Sequence, residues 1–124
     1  MRVVGLDHLV LLVADVERSL AFYCGQLGLQ PVRLEEWRRG EVPFVSVRVD
    51  EGCIIDLLEG EATGTNVDHL CLVVDELDPD ALVAGGVEVL TEPVRRFGAR
   101  GDATSIYVGD PDGHVVELRA YPPA

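Results

Sequence analysis

The chain has 124 residues and a mass of 13.5 kDa, which fits one domain with its own core and excludes a large multidomain enzyme. Hydrophobic residues make up 48% and charged residues 26%, as in a folded soluble protein. The formal net charge is -12 and every basic residue is an arginine. A phosphate backbone or an anionic membrane would be repelled, so neither nucleic acid nor a lipid surface is expected as a partner.

Residues 1–13 are apolar, but Asp7 and His8 interrupt them and no small-residue cleavage site follows. They read as a strand over 6–13 rather than a signal peptide or a membrane span, and the expected location is the cytoplasm. Cys24, Cys53 and Cys71 are odd in number, lie in apolar runs and form no CxxC pair; reduced thiols are expected. Asp15 is a suitable N-cap for a helix that Gly28 ends. Extended segments are expected over 32–38, 42–49 and 53–58, with Arg39-Gly40 and Asp50-Glu51-Gly52 as breaks.

After a polar linker at 63–66 the pattern restarts. A strand is expected over 67–74, and a short helix is capped by Asp78, starts at Pro79 and ends at Gly85-Gly86. Extended segments follow over 87–94, 104–108 and 115–118, with a turn at Asp110-Pro111-Asp112-Gly113. Residues 98–102 are glycine-rich and read either as a lip over a site or as a plain hairpin. The order strand, helix, three strands thus occurs twice. Asp7-His8-Leu9 recurs as Asp68-His69-Leu70, and the same offset carries Ile55-Asp56-Leu57 onto Val116-Glu117-Leu118. The fold class is therefore α+β: one domain of two tandem βαβββ modules, about residues 4–59 and 66–120.

His8 and His69 interrupt apolar strands near their starts, and Asp56 and Glu117 interrupt the last strand of each module. Buried carboxylates are costly unless paired or bound to a cation. Two imidazoles and one or two carboxylates brought together by a twofold arrangement suit a divalent metal. A structural polar network is the alternative reading of the same four residues.

The motifs also carry a resemblance. Gly5-Leu6-Asp7-His8-Leu9, Ser19-Leu20-Ala21-Phe22-Tyr23, Leu27-Gly28-Leu29 and the closing Asp110-Pro111-Asp112-Gly113-His114 with Val116-Glu117-Leu118 resemble the vicinal oxygen chelate superfamily. That group includes glyoxalases, extradiol dioxygenases and bleomycin-resistance proteins. The resemblance spans essentially the whole chain and implies a curved mixed sheet around a central site. It implies His8, His69 and Glu117 as ligands of a divalent ion: iron, manganese, nickel, cobalt or zinc. Asp56 falls where glyoxalases carry a longer fourth ligand. Being one methylene shorter, it is expected beside the metal or as a catalytic base. Tyr107 is the candidate hydroxyl donor to a chelated oxygen, with core packing as its plainer role.

The implied function is a metal-dependent enzyme, dioxygenase-like or lyase/isomerase-like, acting on a small substrate held through vicinal oxygens. The alternative is a metal-free, antibiotic-sequestering binder of the same fold, in which Trp37 and Phe44 stack on a flat ligand. Arg95, Arg96, Arg100 and Arg119 are the available cations for an anionic ligand, and His114 is expected to face away from the site. An open sheet edge or face leads to the expectation of a homodimer.

Overall fold

The computed structural model describes every residue except 27, 62, 65, 110–113 and 124, so the turn expected at 110–113 lies outside the described residues. Eleven mostly apolar residues form β1 (Val3–Val13). Asp15 then caps α1 (Val16–Leu20) by accepting from the Arg18 amide, and the helix widens into π-helical turns over Ala21–Gln26. Gly28 adopts a φ of 78°, the left-handed conformation that ends helices without a Cβ penalty.

β2 (Gln30–Val32) is followed by α2 (Leu34–Arg38), β3 (Val45–Asp50) and β4 (Cys53–Glu59). The expected strand over 32–38 is therefore wrong beyond Val32. Arg33 turns the chain with a φ of 65°, and Leu34 and Trp37, three apart on one helical face, pack onto the core.

The second half contains β5 (Val67–Val74), α3 (Pro79–Ala84), β6 (Glu88–Val89), β7 (Val94–Gly98), β8 (Gly101–Gly109) and β9 (Val115–Ala120). Asp78 caps α3 through the Ala81 amide, with Pro79 at the first helical position. The single segment expected over 87–94 is two strands, both paired to β8. Pro93, which has no amide proton to donate, lies in the break. Residues 98–102 belong to the β7–β8 hairpin, with Gly98 opposite Gly101, which is the plainer of the two expectations.

Among the described residues nine strands form one open mixed sheet, in the order β2-β3-β4-β1-β5-β9-β8-β6 with β7 also on β8. β1 and β5 run antiparallel at its centre with register irregularities. Each has a parallel neighbour: β4 beside β1, and β9 beside β5. Side chains alternate across the sheet. On one face Val16 and Leu20 pack with Val45, Val47 and Leu57, while Val74, Ile106, Val108 and Leu118 form a second cluster near α3. The intervening positions, His8, Asp56 and Glu117 among them, point to the other face. Among the described residues no helix is long and apolar enough to cross a membrane.

Candidate metal centre

The residues facing away from the two apolar clusters converge on a cavity of about 400 Å³. β1 contributes His8, β5 His69 and β9 Glu117, and their donor atoms all lie within 4.8 Å of one another. Glu117 Oε1 is 3.2 Å from His8 Nε2 and 3.0 Å from His69 Nε2. The two imidazole rings meet edge to face with centroids 5.6 Å apart. Strand alternation alone would place three such residues on one face; the central β1–β5 pairing brings the two histidines together.

The outer nitrogens are also fixed. His8 Nδ1 lies 2.7 Å from Asp7 Oδ2, and His69 Nδ1 lies 2.7 Å from Asp68 Oδ2. A carboxylate on Nδ1 holds the proton there and leaves the Nε2 lone pair for the centre, the usual arrangement behind a metal-ligating histidine. These supporting aspartates were not identified as such from the sequence, although the repeated Asp-His pair was the available signal.

The charge balance points the same way. Burial opposes a proton on His8, but hydrogen bonds to Asp7, Cys71 and Glu117 outweigh it and push its pKa up to about 12. His69 moves in the same direction: burial works against it, and Glu117 and Asp68 prevail. Glu117 is held below the ordinary glutamate range because both histidines and Ser105 donate to it, against the cost of burial. The two imidazoles therefore retain protons because carboxylates flank both ring nitrogens, Asp7 or Asp68 on Nδ1 and the shared Glu117 oxygen on Nε2. A divalent cation would replace those protons, so the donor set fits one.

Glu117 is anchored from behind. Ser105 Oγ donates to Oε2 at 2.8 Å and Arg119 Nη1 at 3.0 Å. Arg119 is fully buried and also donates to the carbonyls of Arg96 and Gly101. It is thus a clamp on the site rather than one of the cations open to a ligand, and Arg100 stacks on Tyr121 instead of lining the cavity. Its place two residues after Glu117 on the same strand face was the signal for that role.

Asp56 lines the same cavity but stands apart from the three close donors. Oδ1 accepts from Ser46 Oγ, and Oδ2 is 3.7 Å from His8 Nε2. Burial pushes its pKa up, with Glu117 adding repulsion and His8 and Ser46 opposing. Tyr107 stands opposite Glu117 on β8, with its ring 5.4 Å from that of His69. Burial raises its pKa, and the charge of Glu117 raises it further. Phe44, Arg95 and Arg96 line the cavity, whereas Trp37 packs on the opposite core. His114 is exposed just before β9.

The comparisons with known proteins agree with this architecture. A family model described as "Glyoxalase/Bleomycin resistance protein/Dioxygenase superfamily" matches residues 5–118. The chain is 33% identical over 122 residues to a glyoxalase domain-containing protein, RDO1, of Mycosarcoma maydis, covering 94% of this chain and 68% of that one. It is 29% identical to a probable lactoylglutathione lyase of Synechocystis, covering 90% and 91%. Among solved structures, methylmalonyl-CoA epimerase from Mycobacterium tuberculosis superposes with a TM-score of 0.73 at 23% identity, over 98% of this chain and 90% of that one, which shows a shared fold. The chain belongs to the glyoxalase/bleomycin resistance/dioxygenase superfamily, the vicinal oxygen chelate group.

Proposed function

We propose that the chain is a divalent-metal-dependent enzyme acting on a small substrate with two adjacent oxygens, and that its reaction is a proton transfer of the lyase or isomerase kind. The observation that carries this reading is the convergence of His8, His69 and Glu117, each imidazole backed by its own aspartate. A bound ion supplies Lewis-acid stabilisation of charge on the substrate's oxygen pair.

The protein's own groups do the rest. Asp7 and Asp68 orient the imidazoles, and Arg119 and Ser105 hold Glu117 ionised and fixed. Asp56 accepts a proton from the carbon beside the oxygen pair; its burial raises its pKa and makes it a stronger base than an exposed aspartate. Tyr107 keeps its proton at neutral pH and donates to the oxygen on which charge develops. The Synechocystis relative named as a probable lactoylglutathione lyase is consistent with this class of reaction.

We also infer that the site arose by doubling of one module. Val10 pairs with Asp56 and Ser46 pairs with Asp56; the same offset turns these into Cys71 with Glu117 and Tyr107 with Glu117.

Elemental analysis of protein purified without chelator tests the metal. One equivalent is expected, with manganese or zinc bound at least tenfold more weakly by Glu117→Gln. Loss of a C–H signal from hydroxyacetone in heavy water tests the chemistry on zinc-loaded protein. Asp56→Asn should slow it about a hundredfold with metal content unchanged. Absence of stoichiometric metal, with equal binding to both proteins, refutes the reading in favour of a small-molecule binder. A two-histidine, one-carboxylate set also suits iron(II). Oxygen uptake by iron-loaded protein given catechol, without exchange of hydroxyacetone, would move the assignment to ring-cleaving oxygenation.

A further inference from the structure

Arg33 is the non-glycine residue with a left-handed backbone among the described residues, a conformation that L side chains rarely adopt. It joins β2 to α2, and the turn delivers its side chain to the cavity that holds the histidines. There the guanidinium lies 4.7 Å from the Phe44 ring centroid and 4.0 Å from that of Phe97, rings from the two halves of the chain. Aromatic faces hold a guanidinium in place while leaving its hydrogen-bonding edge unused.

That edge is unused. Nε and Nη2 of Arg33 are both buried and have no hydrogen-bond acceptor. Arg119 also leaves its Nε without an acceptor, but the terminal nitrogens of the other two arginines with buried work to do have partners. Arg119 donates to Glu117 and to main-chain carbonyls, and Arg48 donates to the carbonyls of Asp50, Glu51 and Ala99. Buried donors without acceptors are costly and rare in folded proteins, so two on one side chain facing a cavity call for an acceptor that enters it. Arg95 and Arg96 line the same cavity, together with Asp56, Asp68 and Glu117, so in a chain of net charge -12 three arginines balance the acids around one cavity.

We propose that Arg33 is the anion-recognition residue of the cavity and takes a carboxylate of the substrate in its guanidinium fork. The substrate class is then a small carboxylate-bearing molecule whose adjacent oxygens face His8, His69 and Glu117. The placement of the oxygen pair rests on the metal reading above; the carboxylate contact does not. A planar carboxylate matches the paired N–H groups in two parallel, charge-assisted hydrogen bonds, each about twice as strong as one to a neutral acceptor. It enters by parting the Phe44 and Phe97 rings, which then flank it.

The test uses the full chain in two arms. In the first, metal-free protein labelled with nitrogen-15 is titrated with benzoate. The Arg33 Nε–H resonance, identified by its loss in Arg33→Lys, should shift and saturate with benzoate and stay still with benzyl alcohol. Arg33→Met should weaken benzoate at least tenfold. Dispersed amide signals report that the variant is folded; if Arg33→Met is not, Arg33→Lys, which keeps the charge and loses the fork, should show the same direction.

In the second arm, zinc-loaded protein is titrated with catechol and with 3,4-dihydroxybenzoate by calorimetry. The wild type should prefer the carboxylate at least tenfold, and Arg33→Met should bring the ratio near one while leaving catechol unchanged. An unmoved Arg33 resonance, or a preference that survives Arg33→Met, overturns the assignment. A resonance that responds to inorganic phosphate at lower concentration than to benzoate overturns the carboxylate class. A positive first arm with no zinc-dependent binding of either probe refutes the metal reading and leaves the Arg33 assignment standing.

Discussion

Gly98→Ala is a sharp probe of the network behind the site. The glycine ends β7, its backbone is not in the left-handed region, and alanine is acceptable there on conformational grounds alone. Space is what it lacks. A Cβ would lie 2.5 Å from Arg119 Cζ, 2.6 Å from Asp7 Oδ2 and 2.8 Å from Arg119 Nη1. Arg119 and Asp7 are both fully buried, and the Ala99 amide and Tyr121 hydroxyl also donate to Asp7. One of the two charged groups must therefore move and lose partners.

Overpacking a core costs about 1–3 kcal/mol, and breaking a buried ion pair about 3–5 kcal/mol, so a loss of about 3 kcal/mol is expected. In a domain of this size that lowers the midpoint of thermal unfolding by roughly 10–15 °C. Because Asp7 orients His8 and Arg119 holds Glu117, metal affinity should fall about 10–100-fold as well. Gly25→Ala, with open space around its Cβ in the first helical segment, is the control and should be neutral or slightly stabilising. Circular dichroism melts and manganese titrations measure both effects. A Gly98→Ala protein melting within 2 °C or so of the wild type would show that Arg119 and Asp7 do not pack against this glycine.

Without metal, stability should be greatest between about pH 4.5 and 6.5. His8, raised from 6.5 to about 12, contributes fully below pH 6.5 and loses that contribution as the pH climbs toward 12; Glu117, lowered from 4.5, contributes fully above pH 4.5 and loses it on acidification. Denaturant midpoints across pH check this, and a midpoint that rises steadily to pH 9 contradicts it. Asp7→Asn should weaken manganese about 10–100-fold and Asp68→Asn by less, because the Asp7 side chain is 0% exposed and that of Asp68 47%; equal effects would refute the role given to burial. Asp56→Glu should tighten metal binding severalfold and slow proton exchange, since the carboxylate gains a methylene toward the centre. We propose a homodimer, in which a second copy covers the exposed Val3, Val4, Leu6 and Val67 of the two central strands; light scattering at micromolar concentration should give twice 13.5 kDa, and a stable monomer refutes it.

The sequence was most informative where one residue type imposes one structure. The long apolar runs of β1 and β5 read as strands, and Asp78-Pro79 with Gly86 marked both ends of α3. It was least informative between elements. Leu34 and Trp37 carry a helical spacing, but five residues give too short a window for periodicity to outweigh Val32 beside them. The left-handed turn at Arg33 has no sequence signal at all, because it occurs at a residue that usually avoids it. Hence the same blind spot hid α2 and the orphaned guanidinium. The three close donors were legible because polar residues are rare in apolar strands and the repeat fixed their register. Asp7, Asp68 and Arg119 were harder to read: the repeated Asp-His pair and the spacing of Arg119 from Glu117 were present, but the charge that supports a site looks in sequence like ordinary surface charge.

The two halves of the site show how a repeated scaffold can yield unlike functions. Asp56 and Glu117 occupy the same place in the pairing pattern, and two residues later the first strand has Leu58 where the second has Arg119. Glutamate reaches both histidines, which with Ser105 hold it ionised against burial, and the arginine behind it fixes its second oxygen. Aspartate stops 3.7 Å from His8, leucine stands at the arginine's position, and burial outweighs the opposing effects of His8 and Ser46. The first change, one methylene, sets how far each carboxylate reaches toward the histidines; the pKa values part because burial prevails at Asp56, while the hydrogen bonds from both histidines prevail over burial at Glu117. Separated pKa values on neighbouring carboxylates are what a site needs to keep one ionised as a fixed charge while the other exchanges a proton. Leu58 also lines the cavity, where an arginine would neutralise Asp56 and lower its basicity. On the proposed reading, the asymmetry of these two residue pairs, rather than the repeat itself, is therefore what suits the site to proton transfer.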